Sequence, residues 1–287
     1  MHIPQGMIEG AICPVTAAVS TAGIAASAYY AYTQKEKPSA SRFAAVSAFI
    51  FAAQMINFPV ASGTSGHLIG GVLAVSLLGL PFGVLAMALV VILQSLLFAD
   101  GGISVLGANL FNMALIAPCI GALIYKKFSS RLISLALASW LSVMAAALMC
   151  SLQLGLAGTV SLTAVLPAML GIHALIGAGE AGVTLAAGSL LARKKSRPAF
   201  IFASALLVAG GISPFASSLP DGLEWVALRF DFLKEAAPLF ARPFSDYSLS
   251  FISHPGITTA AAGLIGVGLT FLCGAGIGKQ LAGIKKK

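Results

Sequence analysis

The sequence predicts an all-α polytopic membrane protein of about nine transmembrane helices, and three observations carry that reading. Of its 287 residues, 58% are hydrophobic and only 9% charged, with a mean hydropathy of +0.96. A soluble domain carries about 25% charged residues, so this chain cannot cover a water-facing surface of normal size. Apolar runs of roughly 20 residues recur along it, long enough to cross a hydrocarbon core of about 30 Å as helices. The runs are continuous and lack the dyad alternation of a transmembrane barrel.

The apolar segments fall at about 8–33, 43–60, 68–80, 82–99, 104–126, 131–157, 163–192, 199–217 and 256–278. The third is short, and Pro81 interrupts the run that follows it. The first is too long for the apolar region of a secretory signal, and no basic residue precedes Lys35. The chain is therefore expected to keep its N-terminus, with Met1 retained because His2 is a bulky neighbour for methionine removal. The 31 glycines suit close helix packing in lipid. Cys13, Cys119, Cys150 and Cys273 stand singly in apolar segments and read as small buried hydrophobes.

Charge placement orients these segments. Basic loops hold Lys35, Lys37 and Arg42; Lys126, Lys127 and Arg131; Arg193, Lys194, Lys195 and Arg197; and Lys285 to Lys287. They alternate with loops nearly free of Lys and Arg, at 1–7, 61–67, 100–103 and 158–162. Counting Lys279, nine spans with the N-terminus outside and the C-terminus cytoplasmic put fourteen of the seventeen basic residues inside, as the positive-inside rule requires. The other three, Arg229, Lys234 and Arg242, sit in the longest polar stretch, about 218–255, among five acids. The net charge of +8 is thus assigned to topology and lipid contact, not to nucleic acid.

Two of the four histidines, His2 and His67, fall on the expected outer face. A chain that begins X-His offers the Met1 amine, the His2 amide nitrogen and the His2 imidazole as one chelating strand. The amine–amide pair closes a five-membered ring and the amide–imidazole pair a six-membered one. Planar nitrogen coordination suits Ni²⁺ or Cu²⁺, and His67 would supply a fourth nitrogen. Co²⁺ could use the same set, whereas Zn²⁺ prefers a tetrahedron. Asn57, Ser65, Asp100 and Asn109 are candidates for orienting these ligands, with Asn112 a further polar group near them.

His173 and Glu180 lie seven residues apart on one helical face, inside an apolar segment. An ionisable group at that depth is a functional candidate by default. They define the competing reading, a membrane-embedded enzyme or ion channel, against a plain structural pair joining helices. His254, before Pro255, reads as incidental. No phosphate loop, GxSxG or HExxH is present.

The start MHIPQG and the stretches FAAQMINFPVASGTSGHLIGGVL (51–73), LLFADGGISVLGANLFNM (96–113) and MLGIHALIGAGEAGVT (169–184) resemble the CbiM/NikM family. Members are the membrane substrate-capture components of energy-coupling-factor transporters for nickel and cobalt. The resemblance covers about residues 1–195 and implies a metal site at Met1, His2 and His67, with Ni²⁺ or Co²⁺ as the transported substrate. It also implies a prokaryotic plasma (inner) membrane location, and partners in a transmembrane coupling subunit and separate ATPase subunits. The segments LPDGLEWVALRFDF (219–232) and PLFARPFSDYSLSF (238–251) resemble the PDGLE-type (NikN-like) partner subunit. Two domains are therefore expected: 1–197 for metal capture, and 198–287 with two transmembrane helices and an extracytoplasmic loop. One departure is Gln5, where the family often has aspartate.

Overall fold

The computed structural model describes residues 1–61, 63–125, 127, 130–191, 197–234, 236 and 240–283. Ser62, Lys126, Arg193 to Lys195, Glu235, Lys285 to Lys287 and most of the expected 197/198 junction lie outside the described residues.

Every expected apolar segment contains a helix. They are α1 (Ile12–Thr33), α2 (Ala40–Gln54), α3 (Gly71–Leu78) and α4 (Leu80–Leu93), the last extended by a π-type segment, Gln94–Phe98. Next, α5 (Leu106–Asn109) runs through a second π-type segment into α6 (Ala117–Tyr125) as one rod. Then come α7 (Arg131–Leu156), α8 (Leu162–Leu191), α9 (Pro198–Leu207) and, after the short α10 (Gly222–Arg229), α11 (Pro255–Gly283).

Seven rods are long and apolar enough to cross a membrane among the described residues. The other two expected spans are shorter than anticipated. Helix α2 has 15 residues, about 22 Å at 1.5 Å per residue, and α3 has 8. Twelve residues of α2 are buried, so it is a central helix enclosed by α4, α9 and α11 rather than a lipid-facing one. Small residues permit this: a Cβ at Gly278 of α11 would lie 2.8 Å from the Ala40 Cα atom. The outer rods instead present Val15, Leu132, Leu175, Phe200 and Leu272, as a lipid-facing surface must.

The apolar run at 43–60 does not remain helical to its end. Helix α2 stops at Gln54, and Asn57–Pro59 (β1) pairs antiparallel with Ser65–His67 (β2), placing Asn57 opposite His67. Asparagine favours turns and proline lacks an amide donor, so hydrophobicity overstated the helix here. The 218–255 stretch, read as loop, contains α10. Asp221 and Glu224 form a reciprocal capping box at its start.

Segments poor in Lys and Arg share one end of the bundle. Thr159 Oγ1 donates to Met7 O (3.0 Å), Ser217 N to Asn57 O (2.8 Å) and Ala236 N to Gln5 O (3.0 Å). At the opposite end, Lys37 Nζ donates to Leu281 O (2.7 Å) and Arg42 Nε to Leu77 O (3.4 Å). The cysteines are free and less uniformly buried than expected: Cys150 is buried, Cys13 and Cys119 partly so, and Cys273 is exposed.

Candidate metal site

The first three residues enter the bundle instead of trailing from it: Met1, His2 and Ile3 are all buried. Their anchor is Asn109 on α5. Its Oδ1 accepts from Ile3 N at 2.8 Å, and its Nδ2 donates to Ile3 O at 3.1 Å. The N–H of Gly102 donates to the same carbonyl at 2.9 Å. A Cβ at Gly102 would lie 2.6 Å from the Gln5 Cα atom, so only glycine permits this approach. With residue 3 held on both sides, Met1 and His2 are positioned by backbone.

The Met1 amine meets His67 Nε2 directly and lies 2.9 Å from Asp221 Oδ2. His67 Nδ1 is 3.1 Å from Leu68 O. With Nδ1 donating there, Nε2 carries the lone pair facing the amine. The His2 and His67 rings stack, with centroids 5.2 Å apart and planes 12° from parallel. His2 Nδ1 lies 2.8 Å from Asp100 Oδ1, and its Nε2 lies 3.1 Å from Gln94 Oε1. The six-membered chelate ring must close through Nδ1, so Asp100 holds the atom that a metal would claim.

The far wall comes from the 217–247 segment. Asp221 Oδ1 caps α10 by accepting from Leu223 N (2.8 Å) and Glu224 N (2.9 Å), which leaves Oδ2 for the Met1 amine. Tyr247 donates its hydroxyl to Asp100 Oδ2 at 2.7 Å and accepts from Gln94 Nε2 at 3.2 Å. Ser65 ties the β-hairpin to this segment: its amide donates to Pro220 O (2.8 Å) and its hydroxyl to Leu219 O (2.7 Å).

Electrostatics follow from this packing. Burial pushes the Asp100 carboxyl up, but His2 and the Tyr247 hydrogen bond outweigh it and hold it well below the usual carboxylate range. Asp221 is held low in the same way, burial being outweighed by the Met1 ammonium and His67. Burial and the neighbouring ammonium both push His67 down, which keeps its imidazole neutral and its lone pair available. Glu224 is raised by burial and by Asp221.

The site residues expected from the sequence thus converge, with specified roles. Met1, His2 and His67 meet; Asp100 holds His2; Ser65 and Asn109 fix backbone instead of touching the histidines. Asn57 lines the cavity beside His67. Gln5, at the departure from the family pattern, accepts from Ser104 N through its side chain at 3.2 Å. Asn112 is remote from the histidines' hydrogen bonds and exchanges a pair with Gln153. Three contributors were missed: Gln94, Asp221 and Tyr247. For Asp221 a local signal existed, the Asp221…Glu224 capping-box spacing; for the other two, more than 90 intervening residues separate each from His2.

His173 and Glu180 do not form the expected structural pair. His173 Nδ1 donates to Met169 O one turn back, at 2.8 Å. Glu180 accepts from Ile69 N (2.7 Å) and Gly70 N (3.0 Å), at the N-terminus of α3 where an anion is favoured. Their partners differ because α3 brings unsatisfied amides to Glu180, whereas His173 faces Gly222. His254 is exposed, and its Nδ1 accepts from Ile257 N at 3.4 Å at the start of α11. Among the described residues no group of three or more His, Cys, Asp or Glu side chains is arranged to hold a metal.

Seven apolar rods among the described residues, with a polar cavity lined by His2 and His67 between them, define a multi-pass membrane protein. Residues 2–198 match the family model CbiM, described as the cobalt uptake substrate-specific transmembrane region, and residues 195–283 match the PDGLE domain. The chain belongs to the CbiM family, fused to a PDGLE, NikN-like part, and is a metal-uptake component of a prokaryotic membrane. It is 33% identical to a putative fused nickel transport protein NikMN of Archaeoglobus fulgidus, over 96% of this chain and 97% of that one. It is 27% identical to the fused nickel transport protein NikMN of Rhodobacter capsulatus, over 100% and 99%. A crystal structure of a truncated transition metal transporter matches with a TM-score of 0.60 and 34% identity, covering 67% of this chain and 98% of that one.

Proposed function

We propose that this chain captures Ni²⁺ or Co²⁺ for an energy-coupling-factor importer, at a planar site of four nitrogens. The donors are the Met1 amine, the His2 amide nitrogen, His2 Nδ1 and His67 Nε2. The observation that carries this reading is the buried Met1 amine against His67 Nε2, with the His2 ring stacked beside it. An imidazole lone pair lies in the ring plane, so an ion about 2 Å from each donor nitrogen sits at the ring edges, and binding it unstacks rings now 5.2 Å apart. Loading turns His2 Nδ1 from Asp100 toward the ion, and Asp100 and Asp221 remain beside it as charge-balancing hydrogen-bond acceptors. The relatives' names support nickel or cobalt as cargo.

The end holding the site faces outward in this reading, because Lys37 and Arg42 make their contacts at the other end. The capture part is 1–197 and the partner part 198–287, whose Asp221 and Tyr247 complete the chamber wall. No nucleotide-binding motif is present, so energy for release comes from separate ATPase subunits through a transmembrane coupling subunit.

The test extends the N-terminus by one glycine, which moves the amine out of the five-membered ring. Purified protein is titrated with Ni²⁺ and with Co²⁺ while absorption is recorded. The native chain is expected to bind one ion with a planar-nitrogen spectrum, and the extended chain to lose affinity at least a hundredfold. Full-affinity binding by the extended chain would overturn the model.

A further inference from the structure

His2 and His67 occupy one wall of a cavity of about 430 Å³. At about 30 Å³ per water molecule, a divalent ion with six bound waters fills less than half of it. Arg242 lines the same cavity, carried by the partner part. Its Nε and Nη2 atoms are buried and have no hydrogen-bond partner among the described residues. Two buried guanidinium nitrogens without an acceptor are unfavourable. The Phe240 ring lies 6.0 Å from the guanidinium carbon.

The neighbouring acids are otherwise engaged. Asp100 is held by His2 and Tyr247; Asp221 by the Met1 amine and the first turn of α10; Glu224 accepts from Asp221 N. Asp246, the remaining acid in the lining, is exposed. The cavity therefore pairs a cation site with one guanidinium edge, Nε and Nη2, that has no acceptor among the described residues. A guanidinium binds a carboxylate through two parallel hydrogen bonds. One guanidinium matches one carboxylate, and the surrounding acids repel a polycarboxylate. A complex that keeps net positive charge and carries a single carboxylate satisfies both conditions.

We infer that this cavity receives the metal as its one-to-one complex with an amino-acid-type chelator, whose carboxylate docks on Arg242. The inference rests on the metal-site reading above. Transfer is a ligand exchange without redox change. The chelator's carboxylate and amine leave the ion, the amine taking up a proton, as the four protein nitrogens bind; the Met1 ammonium, the His2 amide and the His2 Nδ1 that faces Asp100 each give up a proton to water.

The test compares loading from the nickel–glycinate and nickel–glycinamide one-to-one complexes, followed by absorption of the nitrogen-bound metal in the full-length protein. Glycinamide keeps the amine but lacks the carboxylate. It also holds nickel more weakly, so transfer limited by dissociation would favour it. The native protein is expected to load at least tenfold faster from glycinate. In Arg242→Gln that ratio falls to about one, and Arg242→Lys restores part of it. Equal or slower loading from glycinate overturns the inference, as does a ratio that survives Arg242→Gln. If Arg242→Gln does not fold, the glycinate–glycinamide comparison in the native protein decides alone. If hexaaqua nickel itself fails to load the native protein, the metal site falls and this inference with it; if it loads and glycinate confers no advantage, only this inference falls.

Discussion

Asp221 divides its carboxylate between two tasks: Oδ1 caps the first turn of α10, and Oδ2 lies 2.9 Å from the Met1 amine. A helix cap in one half of the chain thereby holds the first atom of the other half. Asp221→Asn keeps a good capping side chain but removes the charge beside the amine. Its nickel affinity is expected to fall about tenfold, within the range for lost outer-shell partners. Asp221→Ala should fall further, because α10 also loses its cap. Competition titration with a chromogenic chelator measures both, and native affinity in both variants would separate Asp221 from the site.

Asn109 fixes Ile3 through two hydrogen bonds. Asn109→Leu leaves the Ile3 amide and carbonyl short of partners and frees the terminal strand. An unpaired buried polar group costs about 1–3 kcal/mol, so metal affinity should drop at least tenfold. The helical circular dichroism of the protein should stay unchanged. An unaltered titration would mean that the strand is held elsewhere.

Glu180 accepts two buried amides at the head of α3. Glu180→Ala orphans both and should destabilise the protein by about 2–4 kcal/mol, from the cost of leaving such groups unsatisfied. Glu180→Gln retains an acceptor and should lose less. Thermal unfolding in detergent distinguishes them. His173→Ala is expected to leave metal affinity near native, since the imidazole bonds within its own helix; a large loss there would revive the competing reading.

Acid should unload the site. His67 is already pushed below its ordinary value by burial and the neighbouring ammonium, so it stays neutral as pH falls through the usual histidine range and is not the first donor lost. The amine, the amide and the His2 Nδ1 that faces Asp100 each release a proton on binding, so affinity should fall with decreasing pH by at least about a hundredfold per unit where they are protonated. The slope of log Kd against pH reads the proton count; a flat profile would exclude a deprotonated amide.

Tyr247→Phe removes the 2.7 Å hydrogen bond to Asp100 and leaves the ring packing on Phe98 in place. A hydrogen bond to a charged group contributes about 1.5–3 kcal/mol. Asp100 would then hold His2 less firmly, and nickel should load several-fold faster in stopped-flow absorption. Unchanged loading would show that Asp100 does not restrain His2 Nδ1.

The membrane class, the helical segments and the division of loops by charge were legible in the sequence, because apolar length and the placement of Lys and Arg are local properties. The proposed Met1-His2 chelate rests on the same kind of local property, since its rings would close within two residues. Helix burial was not: α2 and α3 read as spans because lipid and a neighbouring helix are equally apolar to a side chain. Tertiary structure alone brought Asp221 to the Met1 amine and Tyr247 to Asp100, and it separated Glu180 from His173. Each of those contacts joins hydrogen-bonding groups that no spacing along the chain relates. They meet because a group buried in a bundle this apolar must find its partner on another element.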